Sequence, residues 1–220
     1  MILLLTGCSE SKKLSTNQSE DNNQIKYKSK DITINENLLK ENIKKIFAEI
    51  CSISYEQDGV IFYIDTLRTD EIAIEKKYPG VRLTLTASLD TIRQYVSMDI
   101  GFGDVITPSP SELDYPNLLD GFPNTDIMAY SLETVVAEKF QTMISRAETN
   151  SRMKDFYDLY TILQGGKYNA EILDEAIKAT FKNRQTNYME NHVAFSLAFA
   201  KNSNLNIRWN AFMKKLKIPT

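Results

Sequence analysis

Cysteine and histidine are scarce in this 220-residue chain, and their scarcity excludes two common ways of stabilising a protein. Two cysteines, Cys8 and Cys51, provide no disulfide framework. One histidine, His192, excludes a zinc site built on paired histidines. No apolar run approaches the roughly 18–20 residues that a membrane-spanning helix needs. The remaining composition, with 42% hydrophobic and 25% charged residues, is that of a globular protein.

Positive charge is not in excess either. The chain has 26 Lys and Arg against 29 Asp and Glu, a formal net charge of −3. This balance argues against broad, nonspecific nucleic-acid binding through a basic surface, and it leaves room for a local basic patch.

The amino terminus has a pattern of its own. Leu5-Thr6-Gly7-Cys8 resembles a bacterial lipobox, whose cysteine is lipidated, although no basic segment precedes it and the apolar run is short. The polar residues 9–30 cannot bury a core and predict a disordered tether. Residues 1–30 are therefore interpreted as a lipoprotein-like leader and tether with Cys8 as the lipidation site. The alternative is a chance match.

Hydrophobic periodicity predicts an α+β fold for the rest of the chain. A helix is expected to begin at Asn35 or Asn37 and to end near Cys51. Turns are expected at Asp58-Gly59 and Pro79-Gly80. Strands are predicted at residues 60–64, 69–77, 81–87 and 93–100. Residues 31–105 thus form a small sheet with a helix, and the proline-rich residues 106–130 an irregular connection.

The second half, residues 131–220, predicts a helical bundle. Ser131 is a candidate cap of its first helix, and Gly165-Gly166 is a candidate stop for its second. The predicted helices cover residues 131–146, 152–164, 170–182, 188–200 and 205–216.

Three groups of charged residues are candidates for chemistry. Asp99 lies in a strand, where a carboxylate is costly unless it is solvated, paired or bound to metal; the alternative is a wet sheet face shared with Tyr95 and Ser97. Glu138 and Lys139 stand in an otherwise apolar helix, as a phosphate-binding lysine or as a solvated edge. Asp155 and Asp158 are three residues apart and share a helix face, and Lys154 can pair with Asp158 four residues on, so ion pairing is the default interpretation.

Residues 100–105, 115–116, 130–140 and 151–160 together resemble the AbiEii/AbiGii family of nucleotidyltransferase toxins, over about residues 31–164. The resemblance implies a cytoplasmic toxin of an abortive-infection toxin–antitoxin system, with a nucleoside triphosphate, an RNA acceptor such as tRNA, and an antitoxin as partners. It implies that Asp99 is the third acid of a Mg²⁺ site. It also implies catalytic roles for Lys154, Asp155 and Asp158, and nucleotide binding by Glu138 and Lys139.

The sequence departs from this family at one point. The Gly-Ser pair and the D-x-D pair with which the family opens are found nowhere in the chain. We therefore expect a truncated nucleotidyltransferase-like domain that is inactive or needs a missing half. The alternative function is a noncatalytic remnant that is tethered or binds an antitoxin, and Cys8 would then anchor it to a membrane.

Overall fold

The computed structural model describes residues 36–53, 55, 58–75, 78–187 and 189–217. Cys8 and the predicted tether lie outside the described residues, as does Asn35. The described chain divides into two compact units after Gly103. The first is called the sheet unit and the second, from Asp104 onward, the helical unit.

The sheet unit consists of one helix and three antiparallel strands in the order β1-β2-β3. Its elements are α1 (Glu36–Cys51), β1 (Val60–Glu75), β2 (Tyr78–Leu89) and β3 (Ile92–Gly101). Two predicted strands are joined in β1, whose pairing with β2 is irregular between Tyr63 and Arg68. Thr66 bridges this irregularity, because its Oγ1 donates to Tyr63 O over 2.6 Å and accepts from Thr86 N over 2.8 Å.

The turn predicted at Pro79-Gly80 is wrong, since both residues lie in β2. Pro79 is opposite Ala73 and Gly80 is opposite Ile72 in β1. The pairing of β2 with β3 begins only at Gly80, so Pro79 lies where β2 has a single neighbour. A proline is tolerated there because its missing N–H need not serve a second strand.

Alternation along the strands places one face of the sheet against α1. Ile43 of α1 packs with Leu67, Leu83 and Leu85 in the core of this unit. Val96, Met98 and Ile100 of β3 pack against the same core, whereas Tyr95, Ser97 and Asp99 are exposed on the other face. The strand predicted over residues 93–100 is therefore confirmed, with alternate residues on its two faces.

The connection predicted as irregular contains a short antiparallel hairpin at the start of the helical unit. It consists of β4 (Ser111–Tyr115) and β5 (Thr125–Ala129). Every residue of β4 is exposed, and its alternation of apolar and polar residues, with Leu113 and Tyr115 around Asp114, is too short to predict a strand.

Helices make up the remainder of the helical unit. They are α2 (Leu132–Arg146), α3 (Met153–Gly165), α4 (Ala170–Asn183), α5 (Leu197–Ala200) and α6 (Ser203–Leu216). Ser131 caps α2 by accepting from Thr134 N, and Gly166 ends α3 at a φ of 61°. No helix among the described residues is long and apolar enough to cross a membrane.

The single helix predicted over residues 188–200 is wrong. The chain forms a short 3-10 turn at Val193–Phe195 and then the one-turn helix α5. Side chains interrupt the pattern, because His192 accepts a hydrogen bond from Ala194 N and Ser196 accepts one from Phe199 N. Each such cap starts a new turn in place of a continuous helix.

Candidate functional site

A lysine shared by two aspartates joins α2 to α3. The ammonium of Lys139, on α2, lies 2.7 Å from Asp155 Oδ1 and 2.7 Å from Asp158 Oδ2, both on α3. The two aspartates are three residues apart and so face the same neighbour. Their side chains are only 11% and 19% exposed, and that of Lys139 is 20% exposed. The predicted charged motifs of two separate helices therefore form one site.

Two further cations, Lys154 and Arg152, lie on the exposed side of Asp158 and Asp155. Lys154 Nζ lies 2.6 Å from Asp158 Oδ2, and Arg152 Nε lies 3.3 Å from Asp155 Oδ2. These outer side chains are 73% and 55% exposed. We call the five residues the lysine–aspartate site. With three cations against two carboxylates, it retains an excess of positive charge and exposed donors for an anion.

Hydrogen bonds between opposite charges keep Lys139 and Asp158 ionised. Burial alone would lower the pKa of Lys139, but its hydrogen bonds to Asp155 and Asp158 outweigh burial and raise it. Burial would raise the pKa of Asp158, but hydrogen bonds from Lys139 and Lys154 lower it. Both groups are therefore ionised at neutral pH, and the site presents fixed charges.

Glu138, the neighbour of Lys139 on α2, has a different set of contacts. Arg184, directly after α4, lies 2.5 Å from Glu138 Oε2 and 3.0 Å from Asp104 Oδ1. The three side chains are 8%, 18% and 12% exposed. Burial, together with the charges of Asp104 and Glu138, raises the pKa of Tyr130 to about 12. We call Asp104, Tyr130, Glu138 and Arg184 the arginine network.

The arginine network holds α2 in place relative to α4 and to the start of the unit. Gln141, one turn after Glu138, donates to Thr186 Oγ1 over 2.7 Å and fixes the same segment. At the other end of α2, Glu133 accepts from Asn169 N over 2.8 Å. These contacts orient α2, so that Lys139 faces α3. Nucleotide contact by Glu138 stays a prediction.

Sequence reasoning missed Arg184 altogether, and Asp104 lay within residues 100–105 of the resemblance but received no role. Their contacts span 46 and 80 residues, so no local spacing could reveal them. Arg152 was within the quoted motif but received no role. Its spacing of three residues from Asp155 was the available signal.

Asp99 is held by a neighbour in the sheet unit. Arg82, its direct partner across β2 and β3, donates from Nε to Oδ1 over 2.6 Å and from Nη2 to Oδ2 over 2.7 Å. The hydrogen bonds from Arg82 lower the pKa of Asp99, whose side chain is 46% exposed. Both carboxylate oxygens are thus engaged on an exposed sheet face, the arrangement of a surface ion pair.

A magnesium site does not fit this arrangement by itself. Mg²⁺ needs carboxylate oxygens free to coordinate it, and those of Asp99 accept hydrogen bonds from Arg82. Among the described residues, no three His, Cys, Asp or Glu side chains are grouped to hold a metal ion. Metal binding by Asp99 stays a prediction.

The fold and the site together define an α+β protein whose charged, partly buried site lies between two helices. The family model described as nucleotidyl transferase AbiEii toxin, type IV toxin–antitoxin system, matches residues 29–220. The chain belongs to this family, which confirms the predicted resemblance and extends it beyond Gln164 to the last helix. Comparisons with curated proteins and with solved structures found no match.

Proposed function

We propose that this chain binds a nucleoside triphosphate at the lysine–aspartate site as part of nucleotidyl transfer to an RNA acceptor such as tRNA. The observation that carries this proposal is the shared lysine. Lys139 is held within 2.7 Å of two aspartates, with two exposed cations beside it. Membership of a nucleotidyltransferase toxin family supplies the reaction class.

The residues of the site suit the phosphates of such a substrate. In nucleotidyl transfer an acceptor hydroxyl gives its proton to solvent and its oxygen bonds to the α-phosphorus, while the bond from that phosphorus to the bridging oxygen breaks and pyrophosphate leaves. Arg152 and Lys154 are exposed enough to turn from the aspartates to phosphate oxygens. Asp155 and Asp158 hold the ammonium of Lys139 in place throughout, so its charge is already oriented when the substrate arrives.

We further propose that these 220 residues transfer nucleotides poorly unless further acids are supplied to the site. The sequence has no D-x-D pair, and Asp99 is bound to Arg82. Mg²⁺ would neutralise the triphosphate and align the reacting oxygens when bound. Loss of one preorganised charge-stabilising group typically costs about 10²–10³ in rate, and two missing acids cost more.

A transfer assay tests this proposal. Purified protein is incubated with Mg²⁺, each labelled nucleoside triphosphate and total tRNA, alone and with the polypeptide encoded directly upstream. We expect transfer only in the combined reaction, and its loss with Lys139→Met. Metal-dependent transfer by the bare chain that disappears with Asp99→Ala would contradict the proposed poor activity. Absence of transfer and of nucleotide binding under all conditions would contradict the function.

A noncatalytic antitoxin-binding role is the second candidate. It is favoured by large apolar side chains exposed on the sheet unit, among them Ile61 at 58%, Ile92 at 67% and Tyr95 at 80%. An antitoxin would cover these side chains. If this role is the only one, Tyr95→Glu with Ile92→Glu abolishes co-purification with the co-expressed antitoxin, while no nucleotide binds at any concentration tested.

A further inference from the structure

Charge is distributed unevenly along the chain. Glu190 is the last acidic residue, and the thirty residues that follow contain five cations and no carboxylate side chain. The preceding 190 residues have 21 Lys and Arg against 29 Asp and Glu. The positive charges at the end of the chain are Lys201, Arg208, Lys214, Lys215 and Lys217. A chain of net negative charge thus ends in a segment of one positive sign.

These five side chains, which we call the basic strip, are available to a partner. All five residues are exposed. None of them forms an ion pair with a carboxylate of the described residues, in contrast to Lys139, Lys154 and Arg184. Because their charge is not neutralised within the described chain, the field of the strip extends into solvent.

The strip is connected to the lysine–aspartate site through the loop before α3. Arg208 on α6 donates from Nη1 to Asn150 O over 3.0 Å. The side chain of Asn150, which is fully buried, accepts from Arg152 N over 2.9 Å. Arg152 in turn pairs with Asp155. These contacts therefore place Arg208 of the strip beside the short segment that leads into Arg152.

The spacing along α6 places a second cation on the same side of the helix as Arg208. Lys215 lies seven residues after Arg208, two helical turns along the same side. Two turns of helix span roughly 10 Å, comparable to a few phosphates of an extended strand. Arg208 and Lys215 therefore present two positive charges along one side of α6, an arrangement that suits a polyanion rather than a single small anion.

We propose that the basic strip binds the phosphate backbone of the RNA acceptor and leads it to the lysine–aspartate site. This inference rests on the proposed function, because it assigns the acceptor's path in that reaction. The lysines at the end of α6 attract phosphates irrespective of sequence, and Arg208 orients the strip towards Arg152.

Binding of fluorescently labelled total tRNA to the full chain tests the strip. The variant Lys214→Glu/Lys215→Glu reverses two charges in the last turn of α6. Its matched control is Lys167→Glu/Lys182→Glu, which reverses two exposed lysines around α4, one of them also in a last helical turn. We expect the strip variant to bind about tenfold more weakly or worse, with the slope of log K against log salt reduced by about one per lysine. The control should bind like the wild type.

Equal tRNA affinity of the two variants would overturn the proposal. If Lys214→Glu/Lys215→Glu melts early, Lys214→Gln/Lys215→Gln replaces it, with a smaller expected loss of affinity. Binding of a labelled nucleoside triphosphate is measured with the same proteins. If the strip variant binds both the nucleotide and tRNA like the wild type, the role of the basic strip is refuted and the proposed function is not. If the wild type binds no nucleotide, the proposed function itself is refuted.

Discussion

The two units of this protein use ion pairs in different ways. In the sheet unit, Asp99 and Arg82 form a one-to-one pair with side chains 46% and 48% exposed. In the helical unit, Lys139 serves two carboxylates that are 11% and 19% exposed. Water screens the first pair and competes for its hydrogen bonds, whereas the second is largely removed from water. Of the two sets of ion pairs, the one around Lys139 in the helical unit is therefore the one whose charges are held in fixed positions.

The arginine network should give the largest effect on stability. Arg184→Met removes the cation between Glu138 and Asp104 and leaves both carboxylates largely buried. Removal of one partner of a buried pair costs about 3–5 kcal/mol, because the carboxylates stay buried and lose the cation that pairs with them. Urea unfolding of the variant and the wild type measures this loss. A stability equal to that of the wild type would show that the arginine network does not stabilise the fold.

Replacement of Lys139 should cost somewhat less. Lys139→Met keeps the length of the side chain but removes the charge shared by Asp155 and Asp158, while the outer cations remain. We expect a loss of about 2–4 kcal/mol in the free energy of unfolding. Lys178→Met is the control, since Lys178 is 73% exposed and should change stability by less than about 0.5 kcal/mol. Similar losses in the two variants would show that the buried charge of Lys139 contributes no more to stability than the exposed charge of Lys178.

Acid should weaken the lysine–aspartate site. The pKa of Asp158 is lower in the folded chain than its unfolded value of about 3.9, so its contribution is present above that pH and is lost as the pH falls further. Unfolding measured between about pH 6 and pH 2 should therefore show Asp158→Asn losing less stability on acidification than the wild type. Asp99→Asn should differ less from the wild type, because solvent screens its pair. Parallel curves for Asp158→Asn and the wild type would contradict this.

The smallest effect is expected at the sheet. Arg82→Met breaks a bidentate pair, but both side chains are close to half exposed and remain hydrated. Many exposed pairs contribute nothing measurable to stability, so the midpoint of thermal unfolding should stay unchanged within error. A clear drop would mean that Asp99 and Arg82 support the sheet more than their exposure indicates.

Local patterns predicted the helices of the site and its charged residues. Ser131, Gly166 and the apolar spacing of α2 and α3 act within a few residues, so their effects can be read along the chain. The contact of Lys139 with the two aspartates was not predicted, because it depends on how α2 packs against α3. The α+β class was predicted because periods of about 3.6 and of 2 are separated along the chain.

The errors have the same physical origin. Pro79-Gly80 has the composition of a turn, but both residues lie in β2, and Pro79 is tolerated because β3 pairs with β2 only from Gly80 onward. Arg184 follows a helix end and has partners up to 80 residues away. Features that depend on a distant partner leave no local pattern, and they include the arginine network.

Nucleoside triphosphate binding by the outer cations tests the central claim most directly. Arg152→Ala/Lys154→Ala removes two exposed charges from the lysine–aspartate site, and Arg82→Ala/Lys178→Ala removes two exposed charges elsewhere. Fluorescence titration with a labelled nucleoside triphosphate should show the first variant binding at least about tenfold more weakly, since each charged hydrogen bond contributes about 1.5–3 kcal/mol. The second variant should bind like the wild type. Equal affinities of the two variants would contradict the assignment of the nucleotide site to α2 and α3.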